Sequence, residues 1–376
     1  MKKNKIIKSQ PKKHIAVIGA KGLPSKGGGE RVAEAIIKKA LTKGFKVSVY
    51  GKRDYCGDYS THNNLELILI SDLKGKHLSA FSFGFFSTIH ALLFGKYDLI
   101  HLHYADFGYL APLLRLRFKV IGTSHGAEYN RDKWSRIAKL CFKLFEILFV
   151  KYVNVCTTVS KTLAEHYAKK YNKNVLFIPN GVDFDSINFS SNESYKNNRF
   201  PFDKYILFCA GRIIQSKGCD ILLKANRQLG LKVPLVIIGD KESDLSYKQY
   251  LESLAEPNVV FINFIKSKED LFEIILQCKF FIFPSTYEAM SMMLLEVASL
   301  KKGVICSDIP ENRDAIGKNA IYFKSGDSNS LAEKLLYALE HEDEINTLGQ
   351  KAFDWVRINR NWDKITETYI DLYKSI

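Results

Sequence analysis

The chain is built from short apolar runs, each separated from the next by a longer stretch, and this alternation runs through it twice. In the first half the runs are HIAVIG (14–19), KVSVY (46–50), LELILI (65–70), DLIHLH (98–103), KVIGTS (119–124) and NVCTTVS (154–160), and 29–43 reads as a helix ending at Gly44. In the second half they are YILFCAG (205–211), PLVIIGD (234–240), NVVFINF (258–264), FFIFPS (280–285), GVICSD (303–308) and AIYF (320–323). Short buried strands alternating with amphipathic helices predict parallel, doubly wound α/β sheets, here two of them. Between them lies VDFDSINFSSNESYKNNRFPFD (182–203), rich in Asn and Ser, a linker composition. The expected division is 1–186, a hinge at 187–203, a second domain over 204–355, and a helical tail at 356–376 packing back on the first domain. Ligands of open α/β sheets bind outside the carboxyl ends of the strands, so the expected site is the interdomain cleft.

Composition bounds the reading further. With 46% hydrophobic residues the 376-residue chain is not disordered. Its seven cysteines form no CxxC pair, which argues against a disulfide scaffold or zinc ribbon and fits a reducing cytosol. The formal charge of +15 is uneven: residues 1–186 carry 31 Lys+Arg against 14 Asp+Glu, net +17. That half should attract an anionic partner: nucleic acid, a membrane surface or a phosphorylated substrate. The start, MKKNKIIKSQPKKH, lacks the apolar run of a signal peptide. From His77 to Gly95 there is no charged residue except histidine, yet three Ser, a Thr and two Gly make it a buried or surface-docked helix rather than a span.

Three motifs carry chemistry. The first, GAKGLPSKGGGERVAEAII (19–37), is a Gly-rich loop entering a helix, whose backbone N–H groups and positive end suit an anion. It meets neither the dinucleotide fingerprint nor the Walker pattern, and a structural turn would also explain it. The second, AGRIIQSKG (210–218), sets Arg212 and Lys217 directly after a strand, a planar fork and a mobile point charge fit for a diphosphate. The third, FPSTYEAMSMMLLEVASLKKGVI (283–305), spaces Glu288 and Glu296 as E-x7-E. Met290, Ser291 and Met292 fall at its helix start, and a carboxylate such as Glu296 accepts two hydrogen bonds, which suits a vicinal diol such as a ribose.

With GxPSKGGGE, TSHG (123–126), IPNGVD (178–183), GRxxxxKG (211–218) and Glu288 to Glu296 in this order, the chain resembles the retaining GT-B glycosyltransferases of family 4. The segments 128–146 and 158–167 look like the branch that builds bacterial surface polysaccharides, rhamnosyltransferase-like members included. The resemblance implies two Rossmann-like domains facing a cleft, the first for the acceptor and the second for the nucleotide-sugar. It implies that Arg212 and Lys217 hold the donor diphosphate, that Glu296 binds the ribose, and that Glu288 with the backbone of Met290–Met292 holds the sugar. Gly28 and Gly29 would approach the diphosphate, His125 would face the reacting sugar or the acceptor, and the base would rest near Asn263–Ile265. Two departures stand out: Gly-Gly-Gly-Glu in the first loop, and Ala289-Met290-Ser291 where many members have Gly-Phe-Gly. The second touches the sugar pocket, so no sugar identity carries over.

Cations and helix N-termini stabilise a leaving diphosphate without a metal, so no metal or other cofactor is expected. Asp183 and Asp185 form a DxD, but in the hinge, and read as linker. Lys133, Arg136, Lys139 and Lys143 interleave with aromatic and aliphatic residues over 133–151, which suits an anionic membrane surface and a lipid-diphosphate-linked acceptor; a core helix is the other reading. The expected place is therefore the cytoplasm, at the inner face of the membrane. Two other functions stay open on sequence alone: a GT-B nucleotide-sugar epimerase, which needs no acceptor, and a nucleic-acid binder, for which no binding module is visible.

Overall fold

The computed structural model describes residues 13–56, 64–75, 78–130, 134–184 and 204–376. The chain divides into two compact units, Met1–Pro179 with Asp363–Ile376, and Asn180–Trp362. The first holds β1 (His14–Ile18), α1 (Gly28–Thr42), β2 (Lys46–Lys52), β3 (Leu65–Ile70), α2 (Leu78–Phe94), β4 (Leu99–His103), α3 (Ala111–Leu114), β5 (Lys119–Ser124), α4 (Arg136–Tyr152), β6 (Val155–Thr158), α5 (Lys161–Tyr171) and β7 (Val175–Phe177). The second holds β8 (Ile206–Arg212), α6 (Cys219–Leu229), β9 (Leu235–Asp240), α7 (Leu245–Leu254), β10 (Val259–Ile262), α8 (Lys268–Gln277) and β11 (Phe280–Phe283). It continues through α9 (Met292–Ser299), β12 (Val304–Ser307), α10 (Pro310–Ile316), β13 (Ile321–Phe323), α11 (Ser328–Glu340) and α12 (Glu342–Asn359), and α13 (Trp362–Ser375) takes the chain back to the first unit.

Both sheets are parallel throughout. The first runs β3-β2-β1-β4-β5-β6-β7 and the second β10-β9-β8-β11-β12-β13. Strands covered on both faces must be apolar on both, and Ile206, Leu207 and Phe208 are fully buried, as are Phe280, Phe281 and Ile282. Every strand read from the sequence is present; β7 is the addition, three half-buried residues at the edge of the first sheet.

The units part at Pro179/Asn180 and Trp362/Asp363 rather than at 186 and 355, because Val182 bridges Asn361 and its N–H donates to the Arg360 carbonyl at 2.7 Å. The 187–203 hinge lies outside the described residues. Within the first unit, α13 is tied to the sheet by a buried bond of 2.6 Å between the Tyr373 hydroxyl and His101 Nδ1. No helix among the described residues is long and apolar enough to cross a membrane.

Candidate active site

In a doubly wound sheet the crevice opens where strand order reverses. In the second unit that point lies between β8 and β11, and three of the four proposed charged residues come from the ends of these strands. Arg212 closes β8 and is exposed. Beyond it a single 3-10 turn, Gln215–Lys217, ends on Gly218, whose φ of +69° is a left-handed conformation. A Cβ there would stand 2.1 Å from the Pro284 carbonyl oxygen, so only glycine lets the loop after β8 lie against the loop after β11. The Thr286 N–H completes the contact with a 2.9 Å bond to the Ser216 carbonyl.

This juxtaposition brings Lys217 Nζ to 2.5 Å from Glu288 Oε1, with both side chains mostly shielded from solvent. The loop continues to Ser291, which caps α9 by accepting a bond from the Leu294 N–H at 3.3 Å. Met292 opens α9, so its N–H and that of Met293 have no carbonyl partner within the helix. Met290 is buried, its carbonyl accepting from Asn180 Nδ2 at 3.0 Å. Glu296, on the second turn, is buried at 3% exposure and lies 3.3 Å from Lys268 Nζ, the first residue of α8. The half-buried Ile265 sits in the loop between β10 and α8, next to Phe264, whose ring faces Gly211.

Sequence reasoning missed two of these side chains. Lys268 stands 28 residues from Glu296 and only the fold pairs them. Asn180 belongs to IPNGVD, read only as a hinge marker, yet it holds Met290 by side chain and backbone.

In the first unit the reversal lies between β1 and β4. The Gly-rich loop follows β1 and leads to α1, where Gly27 caps without a side chain and Gly28 and Gly29 open the helix. The positive end already faces a buried carboxylate, because Glu30 folds back against Gly27 and lies 3.8 Å from Lys21. Gly29 serves close packing: a Cβ there would meet the Tyr104 hydroxyl at 2.2 Å.

Tyr104 follows β4 with φ +69°, strained for a residue with a side chain, and its ring lies 4.6 Å from that of His125. His125 follows β5 and its Nε2 is 3.0 Å from His103 Nδ1, with the two rings stacked. Among the described residues His103 Nε2 is buried with no partner, and a buried lone pair costs less than a buried N–H without an acceptor. His103 Nδ1–H therefore donates to His125, which leaves His125 its Nδ1–H as donor. Burial pushes the imidazoles of His101 and His125 down to about 3, and that of His103 well below its ordinary value. All three are neutral at physiological pH. Sequence gave no signal for Tyr104, since nothing in the residue type marks a positive φ.

The structure thus gathers Lys217, Glu288, Met290, Ser291 and Met292 in one unit, and Gly29 and His125 in the other. Arg136, Lys139 and Lys143 lie on α4, which packs against the segments following β4 and β5, with Lys143 over the Tyr129 ring, and Lys133 lies outside the described residues. Asp185 of the DxD also lies outside them, and among the described residues no cluster of His, Cys, Asp and Glu could hold a metal.

Comparison with known proteins matches two family models, Glycosyltransferase Family 4 over residues 26–186 and Glycosyl transferases group 1 over 190–355. An uncharacterized glycosyltransferase of Methanocaldococcus jannaschii is 24% identical over 93% of this chain and 96% of its own length. An Escherichia coli UDP-Gal:alpha-D-GlcNAc-diphosphoundecaprenol alpha-1,3-galactosyltransferase is 24% identical over 74% of this chain and 76% of its own. The solved structure of Anabaena HepE in complex with UDP-glucose covers 97% of this chain and 100% of its own, at TM-score 0.77 and 15% identity. Two parallel sheets, each with its polar groups at the reversal point, and two family models end to end make this chain a GT-B glycosyltransferase of group 1 with a family 4 N-terminal half.

Proposed function

We propose that the enzyme moves a sugar from a UDP-sugar or dTDP-rhamnose to a growing, lipid-linked surface polysaccharide or lipopolysaccharide, with retention at the anomeric carbon. The observation that carries this reading is the Lys217–Glu288 pair at 2.5 Å, set where the strand order of the second unit reverses. A diphosphate competes for Lys217 and leaves Glu288 to accept hydrogen bonds from the sugar. Arg212 adds a second cation, and the opening N–H groups of α9 add fixed dipoles toward the departing charge. Glu296 and Lys268 bind the ribose end. No metal and no other cofactor is required in this scheme.

His125, neutral and donating through Nδ1, steers uncharged hydroxyls rather than phosphate. No carboxylate acts as nucleophile; the leaving phosphate takes the acceptor proton on the same face of the sugar. The UDP-glucose in the HepE complex and the diphosphoundecaprenol in the E. coli relative's name support the donor and acceptor classes. The acceptor side is the first unit, whose α4 turns Ile137, Leu140 and Leu144 outward beside Arg136 and Lys143. Such a helix suits work at the inner face of the cytoplasmic membrane.

The test is transfer from a panel of UDP- and dTDP-sugars to an undecaprenyl-diphosphate-linked saccharide, with the product anomer read by NMR. One donor should be consumed only when acceptor is present, with its anomeric configuration kept. Consumption without acceptor would replace this reading with the epimerase, and an inverted product would overturn retention.

A further inference from the structure

Helix α2 is turned inside out. A helix on a water-soluble surface faces the core with its large apolar residues. Apart from Phe83, α2 buries small or polar side chains: Ser82, Gly84, Ser87, Thr88 and Ala91. Its outward side carries Leu78, Phe81, Phe85, Phe86, Leu93 and Phe94, between 38% and 69% exposed. Leu78, Phe81, Phe85 and Leu93 follow the i, i+3, i+7, i+15 spacing of a single stripe, about 23 Å long at 1.5 Å per residue.

This stripe connects to a second one. Phe81 stacks on Tyr109 at 4.6 Å, and Tyr109 lies 4.9 Å from Phe145 of α4. The Tyr109 hydroxyl locks the bridge by donating to the Phe81 carbonyl at 2.7 Å. On α4, Ile137, Leu140 and Leu144 are 52–78% exposed, flanked by Arg136 and Lys143. At the far end of α2, Leu116 is 80% exposed between Arg115 and Arg117, and Arg117 bonds the Leu92 carbonyl. Neither helix exposes a carboxylate: α2 has none, and the Glu146 of α4 is buried against Lys170 and Tyr171.

We propose that α2 and α4 form one interfacial docking face for an anionic lipid bilayer, in which α2 inserts its aromatic and aliphatic side chains and α4 supplies the charge. Cations on α4 and beside Leu116, with no exposed carboxylate on either helix, select a negative surface, and the uncharged stripe selects its acyl boundary over another protein's polar surface. The inference deepens the membrane-side part of the proposed function and rests on it for purpose, not for its observations.

The test is co-sedimentation of the full chain with phosphatidylcholine vesicles, with and without phosphatidylglycerol. Leu93→Ser with Phe94→Ser alters only exposed side chains and should lower partitioning on the order of tenfold. Lys139→Glu with Lys143→Glu should remove the preference for phosphatidylglycerol, each lysine being worth roughly fivefold. A Phe94→Trp variant should be quenched by brominated lipid. Unchanged partitioning of the Leu93/Phe94 variant, or an unquenched tryptophan, overturns the proposal. So does a wild-type dimer in sedimentation equilibrium that the same variant dissociates, since a second copy would then cover the face. Transfer to a diphosphate-linked saccharide on a short, water-soluble prenyl chain separates the two readings: its absence beside intact vesicle binding sinks the function and leaves the docking face standing.

Discussion

The two units share one plan and put opposite chemistry on it. Each is a parallel sheet whose polar groups gather where strand order reverses. In the second unit these groups are charged and paired, Lys217 with Glu288 and Lys268 with Glu296. In the first the groups that follow β4 and β5 are neutral, His125, His103 and the strained Tyr104, held by burial and stacking, and the charged pair there, Glu30 with Lys21, is turned onto the start of α1. Eight of the nine histidines of the chain lie in the first unit's sequence and only His341 in the second. Topology fixes where a site forms, and local residues fix its charge. A charged site suits a diphosphate; a neutral donor beside an apolar, cationic face suits sugar hydroxyls on a lipid carrier.

Lys217→Ala should lower kcat on the order of 10²–10³-fold in the transfer assay, the usual loss for one group that stabilises departing charge. If Glu296 holds the ribose as proposed, Glu296→Gln should raise KM about tenfold with kcat less affected, the split expected when uniform binding is lost. Equal effects of both substitutions on kcat alone would contradict the division of roles between the two pairs.

The next test sets the units against each other through pH. Above 6.5, the ordinary histidine value, folded and unfolded chains both carry neutral imidazoles. Below it the unfolded chain takes up protons that the buried cluster refuses, so stability falls as pH drops from 6.5 toward 3. For His101, fully buried, the loss by pH 5 is about 2 kcal/mol. Hydrogen exchange should show β4 and β5 losing protection on acidification before β8 and β11 do; equal loss would mean that the histidines do not set the difference.

Two smaller effects sharpen the account. Gly218→Ala should destabilise the second unit by about 2 kcal/mol through its positive φ and the Pro284 carbonyl, read as a lower denaturation midpoint. Ser135→Ala removes the cap of α4 and should cost about 1 kcal/mol in the first unit, by the same measurement.

How much of this was legible in the sequence follows from what each signal depends on. Parallel strands are apolar on both faces, so β8 and β11 are readable as uninterrupted runs. The three half-buried residues of β7 make no such run. Lys217, Glu288 and Glu296 were readable because their spacing follows strand ends. Lys268 was not, because its partner reaches it only through the fold, and Tyr104 was not, because a positive φ leaves no mark in residue type. The run of α2 is apolar nearly all round, so its pattern gave a helix but not which side faces out.

The central claim is that the charged unit holds the donor and the neutral one does not hold its diphosphate. Calorimetric titration of UDP and dTDP into wild type, Lys217→Ala, Glu296→Ala and His125→Ala tests it most directly. The account predicts that one nucleotide binds wild type and His125→Ala alike, and binds both second-unit variants at least tenfold more weakly. Loss of binding in His125→Ala with Lys217→Ala unaffected would contradict it.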